Sequence, residues 1–150
     1  MLVMDVSTPD APFFIQVVPG SRLNYHCNAF GKAVLAFQPE ERVKKLLPAK
    51  LPKLTPNSIS SRAVLLKELE KVRQTGIAYD REEYNNGFFC IGSPVFDVNG
   101  CIVAGLGLTG LSNLLPPERH VEAEKLVLNC AMGVSRDIGY HGDFFQRIKT

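Results

Sequence analysis

The residues whose types and spacing best suggest chemistry flank the segment Asp97-Val98-Asn99-Gly100. Asn-Gly between two apolar runs is a strong hairpin signal, because both residues tolerate φ > 0. A two-residue loop at Asn99-Gly100 pairs Val98 with Cys101 and, counting outward, Pro94 with Gly105, Gly92 with Gly107 and Cys90 with Thr109. Those residues share one face of the expected sheet. Ile91, Val95, Ala104, Leu106 and Leu108 share the other and supply a core-packing surface. Strand glycines cost backbone entropy and pack nothing, so a row of them facing one way implies that something else approaches. A small ligand is one reading; a helix packed closely on the glycines and a bulge at Pro94 that shifts the register are the others. The ligand reading makes Cys90 and Thr109 cross-strand neighbours that face a cavity.

Asp80 opens the run Asp80-Arg81-Glu82-Glu83, which reads either as solvated surface or as a loop that places Asp80 at the mouth of that hollow. The segment Asn28-Ala29-Phe30-Gly31-Lys32 begins a helix whose unpaired N–H groups and positive dipole end suit a carboxylate. Gly31 equally suits close packing. His26 stands beside Cys27, and a Cys-His pair can make an activated thiolate, but sequence neighbours rarely face each other and an inert buried pair is the plainer reading. The four cysteines, Cys27, Cys90, Cys101 and Cys130, are widely spaced without a C-x-x-C, which indicates neither a zinc site nor a disulfide framework. Lys44, Lys45, Lys50 and Lys53 read as solvated surface. No metal, cofactor or catalytic group is expected.

The elements that must position these groups follow from periodicity and punctuation. Residues 1–6 and 13–18 read as strands separated by a turn at 7–12, and Pro19-Gly20 ends the second. Asn28 caps a helix from Ala29 to about Phe37, and Pro39 opens a second through Leu47. Ser60 or Ser61 caps a third to Thr75, with Leu65, Leu66, Leu69 and Val72 on one side, and Gly76 stops it. A strand at 77–80 and a polar loop at 81–87 precede the hairpin, whose strands run over 88–96 and 101–109. Pro116-Pro117 opens a closing helix to about Gly139 with Val121, Leu128, Ala131, Val134 and Ile138 on its buried face. The last residues are expected to fray or pack locally. The sum is an α+β domain, an antiparallel β-sheet with flanking helices.

Composition narrows the class. At 150 residues, 45% hydrophobic and 21% charged, the chain has the make-up of one globular domain. No apolar run approaches the roughly 20 residues a membrane helix needs. The N-terminus lacks the basic lead and long apolar stretch of a signal peptide, which makes the cytoplasm the expected compartment. Seventeen basic against fifteen acidic residues give +2, too balanced to grip nucleic acid, so this chain alone should bind duplex DNA no better than nonspecifically.

Several stretches, in order and spacing, resemble the effector-binding domain of the IclR family of bacterial transcription regulators. They are PGSRLNYHCNAFGKAVLAF over 19–37, LTP over 54–56, LKELEKVRQTGIAYDREEYNNGFFCIGSPVFDVNG over 66–100, and the following CIVAGLGLTG with the closing helix. The resemblance covers nearly the whole chain. It implies a fold similar to GAF and PAS sensor modules with a ligand cavity on one sheet face. It implies a small organic acid effector, a dimer or tetramer of like chains, and DNA contact only through an N-terminal winged helix-turn-helix that this chain lacks, along with the domain's first helix and strand. A fragment is the expected reading and a stand-alone sensor the other.

Carried over position by position, the family's A-x-G-K helix start falls on Ala29, Phe30, Gly31 and Lys32, its acidic residue on Asp80, and its hairpin cysteine on Cys90. Gly92 belongs to the same face, and two small polar positions of the return strand fall on Gly107 and Thr109. A serine is usual where Gly107 stands, so a lost hydroxyl and added space are expected there, against the simplest two-carbon or three-carbon acids. Two rival readings are a GAF-like enzyme using Cys90 as a redox or nucleophilic thiol beside Asp80, and a purely structural oligomerisation domain. An aspartate serves a thiol less readily than histidine, and no second cysteine is spaced to resolve a sulfenate.

Overall fold

The computed structural model describes residues 1–8 and 17–148. Helix α1 (Ala29–Ala36) starts where Asn28 Oδ1 accepts the Gly31 N–H at 2.7 Å. It is buried almost all round, as its Ala, Gly and Leu content allows. Helix α2 (Glu40–Leu46) carries Glu40 and Glu41 in its first turn and Lys44 and Lys45 in its last, the order the helix dipole favours. Helix α3 (Arg62–Thr75) is capped by Ser61 and ends at Gly76, whose φ of 71° is the left-handed conformation that stops a helix. Its Leu65, Leu69 and Val72 pack on Ala33 and Leu35 of α1. Leu66, expected on that face, is half exposed.

Strands β1 (Ala78–Arg81), β2 (Phe88–Phe96) and β3 (Ile102–Leu111) form an antiparallel sheet in that order, and the observed α+β architecture agrees with the expected class. Helix α4 (His120–Asp137) covers the Ile91 and Val95 face, and the short α5 (Phe144–Arg147) adds Phe144 and Phe145 to an aromatic cluster around Phe96 and Tyr140. The chain's last described residues therefore pack into the core.

Three expectations change, and a fourth is left largely untested. The strand over 1–6 reduces to a single bridge between Leu2 and Arg22. The strand expected over 13–18 and the turn over 7–12 fall largely outside the described residues. The closing helix is entered through a 3-10 turn, Pro117–Arg119, and buries Ala123, Val127, Ala131 and Ser135. Val121, Val134 and Ile138 are exposed instead. Small side chains face the sheet because a close-lying helix leaves room for nothing larger. Finally, the hairpin loop is one residue longer than expected: the Asp97 N–H donates to the Cys101 carbonyl, Asp97 Oδ1 accepts from Asn99 and Cys101 N–H, and only Gly100 takes positive φ.

Candidate functional site

That longer loop places Asp97 opposite Cys101, one step out of the expected register, and a bulge restores it. Phe96 pairs with Ile102 and Val95 with Ala104, so Val103 is the extra residue. Beyond it the expected pairs are all present: Pro94 with Gly105, Gly92 with Gly107, Cys90 with Thr109.

Strand β1 extends two of these pairs into rows across three strands. Asp80 lies opposite Cys90, giving Asp80–Cys90–Thr109, and Ala78 lies opposite Gly92, giving Ala78–Gly92–Gly107. The first row is polar and the second is small. On the glycines rests the N-terminal turn of α1. A Cβ on Gly92 would lie 2.8 Å from the Ala29 carbonyl carbon, and one on Gly105 would lie 2.5 Å from the Phe30 carbonyl oxygen. The glycine face is thus filled at these positions by a closely packed helix, one of the alternatives left open by the sequence. Gly31 serves the same end on the other side of α1, where a Cβ would meet the Tyr25 carbonyl oxygen at 2.5 Å. Gly107 is exposed, and a Cβ there would overlap the Ile91 carbonyl oxygen of the neighbouring strand, so the position admits no side chain without a shift of backbone.

The polar row remains beside the helix end. Asn28 takes the Gly31 N–H, which leaves those of Ala29 and Phe30 without an acceptor inside the helix. Asp80 is 2% exposed and Cys90 6%, while Thr109 opens to solvent. Asp80 Oδ1 accepts the Glu83 N–H at 2.7 Å and the Tyr84 N–H at 3.2 Å. The Cys90 thiol reaches Asp80 Oδ2 at 3.7 Å, and Cys90 Sγ lies 2.7 Å from Thr109 Oγ1. Burial pushes the Asp80 carboxyl up to about 6, against the pull of the two N–H donors. Burial and then the Asp80 charge push the Cys90 thiol up to about 12, so it keeps its proton at neutral pH, the reverse of a reactive nucleophile. Cys27 is likewise pushed up to about 12, mainly by burial, and His26 Nε2 is engaged with the Pro52 carbonyl at 2.9 Å. The His26-Cys27 pair is therefore inert packing.

Sequence reasoning missed the frame around Asp80. Glu83, read as part of a solvated run, is buried and pairs with the fully buried Lys32 of α1 at 2.6 Å. Thr55 Oγ1 donates to the Glu82 carbonyl at 2.6 Å and Ser58 Oγ to the Glu83 carbonyl at 2.6 Å, so Thr55 of the LTP segment and the nearby Ser58 clamp the β1–β2 loop. Glu82 holds a φ of 58°, fixed further by its carboxylate accepting the Gly87 N–H at 3.0 Å. Lys44, Lys45, Lys50 and Lys53 are exposed, as expected. A cavity of about 300 Å³ lies elsewhere, lined by Phe37, Arg73, Gln74, Phe144, Arg147 and Ile148, and contains none of the expected site residues. Among the described residues no cluster of His, Cys, Asp or Glu is arranged to hold a metal, and no helix is long and apolar enough to cross a membrane.

Comparison with known proteins agrees with this architecture. Residues 1–136 match the family model described as bacterial transcriptional regulator IclR C-terminal. The chain is 36% identical over 121 residues to the HTH-type transcriptional repressor AllR of Escherichia coli K12, covering 80% of this chain and 45% of AllR. It thus spans about half the length of the curated relatives it matches. Among solved structures, Thermotoga maritima IclR is 36% identical with a TM-score of 0.80, over 88% of this chain and 55% of that one. The inducer-binding domain of a PobR double mutant from Acinetobacter, in complex with 3-hydroxybenzoic acid, is 26% identical with a TM-score of 0.72, over 81% of this chain and 74% of that one. The sequence segments, the sheet register and these matches together place the chain in the IclR family of bacterial transcription regulators, as its C-terminal domain.

Proposed function

We propose that the chain senses a small organic acid and adjusts DNA binding by a helix-turn-helix part attached to it in the whole regulator. The observation that carries this reading is the position of the Ala29 and Phe30 N–H groups, which have no acceptor within the helix, beside the polar row Asp80–Cys90–Thr109, open to solvent at Thr109. The acid's carboxylate meets the helix N–H groups, where dipole and donors favour an anion. Its polar tail lies toward Thr109 and Asp80, since a carboxylate placed beside Asp80 would be repelled. Gly92 and Gly107 bring the strands and helix close enough for both ends of one small molecule to be held. The complex of the PobR domain with 3-hydroxybenzoic acid supports an acid as the ligand class.

Binding shifts the population of dimer or tetramer arrangements of like chains, and through them the DNA-binding parts. An enzymatic role fits poorly with thiols that hold their protons, and the relatives named above are regulators. Thermal denaturation against a panel of keto, hydroxy and aromatic acids tests the reading. Ligand at about a hundred times Kd adds roughly 2.7 kcal/mol to the folded state, an upward shift that is easily measured. Cys90→Leu should remove the shift while the domain stays folded. A well-formed oligomer that no acid stabilises would favour the structural oligomerisation domain instead.

A further inference from the structure

The polar row has a direction. The Cys90 thiol carries one proton and two neighbours, the Asp80 carboxylate at 3.7 Å and the Thr109 hydroxyl at 2.7 Å. A charged acceptor outbids a neutral one, so the thiol proton points to Asp80 Oδ2. The other Asp80 oxygen is already held by the Glu83 and Tyr84 N–H groups, which keeps Oδ2 turned toward Cys90. The sulfur therefore offers only lone pairs to Thr109. Two polar atoms in hydrogen-bond contact need a proton between them, and Thr109 must supply it. Its hydroxyl proton is committed inward, and its outward face is left as an acceptor.

We propose that Asp80, Cys90 and Thr109 form a directional hydrogen-bond relay that presents Thr109 Oγ1 to the ligand as an acceptor, and so selects an acid bearing a hydroxyl or N–H donor over its keto counterpart. This rests on the acid-binding reading above and names the class of acid. Protonation of Asp80 reverses the relay. A protonated Oδ2 donates to the sulfur, the thiol turns to Thr109, and the threonine proton points outward to meet a carbonyl. The groups facing Asp80 are Lys32 of α1, Cys27 ahead of it, Glu83 and Tyr84 of the loop, and Cys90 of β2. Lys32 and Glu83 form one ion pair, and both thiols and the Tyr84 phenol titrate well above the range in which Asp80 does.

The test is titration calorimetry of the folded chain with two matched pairs of probes, lactate against pyruvate and mandelate against benzoylformate, from pH 5 to 8. Taking the ratio within a pair cancels electrostatic effects on the shared carboxylate. At pH 8 the hydroxy acid should bind about tenfold more tightly, the scale of one hydrogen bond gained or lost, and the ratio should fall toward one below about pH 6. Asp80→Asn should bring the ratio to about one at every pH, since a hydroxyl oxygen accepts an outward threonine proton as a carbonyl does. The Glu83 and Tyr84 N–H groups hold its amide oxygen, so its NH₂ points at the sulfur and drives the relay outward. Thr109→Val should bring the ratio to one, and it keeps the test open where Asp80→Asn fails to fold. A wild-type ratio near one at all pH, or a keto preference at pH 8, overturns the relay while leaving the acid-binding reading intact. No binding of any probe acid overturns both.

Discussion

The two faces of the β2–β3 hairpin are built by different means. Toward α4, Ile91, Val95, Leu106 and Leu108 meet Ala123, Val127 and Ala131, with the Phe96 cluster at one end, and side chain packs on side chain. Toward α1, backbone packs on backbone at Gly92 and Gly105, and the buried side chains next to it are polar or charged: Asp80, Glu83, Lys32, Cys90. A strand's alternation of two lets one ladder do both. The difference teaches that the apolar face stores stability, whereas the polar face gives some of it up to bury charged and polar groups.

Breaking the apolar face should cost most. Phe96→Ala removes a ring that sits 5.0 Å from Phe37, 5.2 Å from Phe144 and 5.2 Å from Tyr140, and should lower stability in urea denaturation by about 3–5 kcal/mol. On the other face, Lys32→Met strands a buried Glu83 whose Oε2 already lacks a hydrogen-bond partner. A loss of about 3 kcal/mol is expected, and adding Glu83→Leu should recover most of it, as apolar replacement of a whole buried pair commonly does. If the double variant is as unstable as the single, the ion pair is not the weak element of this face. Gly105→Ala forces a methyl group against the Phe30 carbonyl and should cost about 1–3 kcal/mol, since the obstacle is backbone. A neutral result would show that α1 is free to retreat and would end the distinction between the faces.

The smallest of these effects is a pH dependence. Folding raises the Asp80 carboxyl from 3.8 to about 6, chiefly by burial, so between those values the folded chain holds a proton that the unfolded chain has released. The stability this contributes is full below about pH 4 and lost as pH rises through about 6. Asn at this position has no such term. Stability of wild type relative to Asp80→Asn should therefore fall by on the order of 2 kcal/mol between pH 4 and 7 and stay level above, in paired melts.

Local signals were legible wherever one residue type settles a conformation: Asn28 and Ser61 as caps, Gly76 as a stop, and Gly100 with its positive φ. The glycine row announced a close approach, although sequence left open what approaches, and the structure shows α1 there. The face of α4 was misread because larger apolar residues drew the expectation, while the buried stripe is small. Nothing in the sequence pairs Lys32 with Glu83, which lie 51 residues apart, or assigns Thr55 and Ser58 to carbonyls 25 or more residues away. Such contacts are set by tertiary placement and leave no periodicity to read.

The hairpin loop and its bulge behave like a frameshift and its suppressor. The loop displaces the ladder by one residue, and Val103, more than half exposed, restores the frame before the site begins. Deleting Val103 should leave Cys90 opposite Thr109, because Phe96 to Ile102 and Val95 to Ala104 then become consecutive pairs in an ordinary ladder. Deleting a residue between Ala104 and Thr109 instead would turn Thr109 toward α4 and an apolar side chain toward α1, exchanging the two faces. The strand thus carries one spare letter, and it stands just upstream of the residues whose order matters.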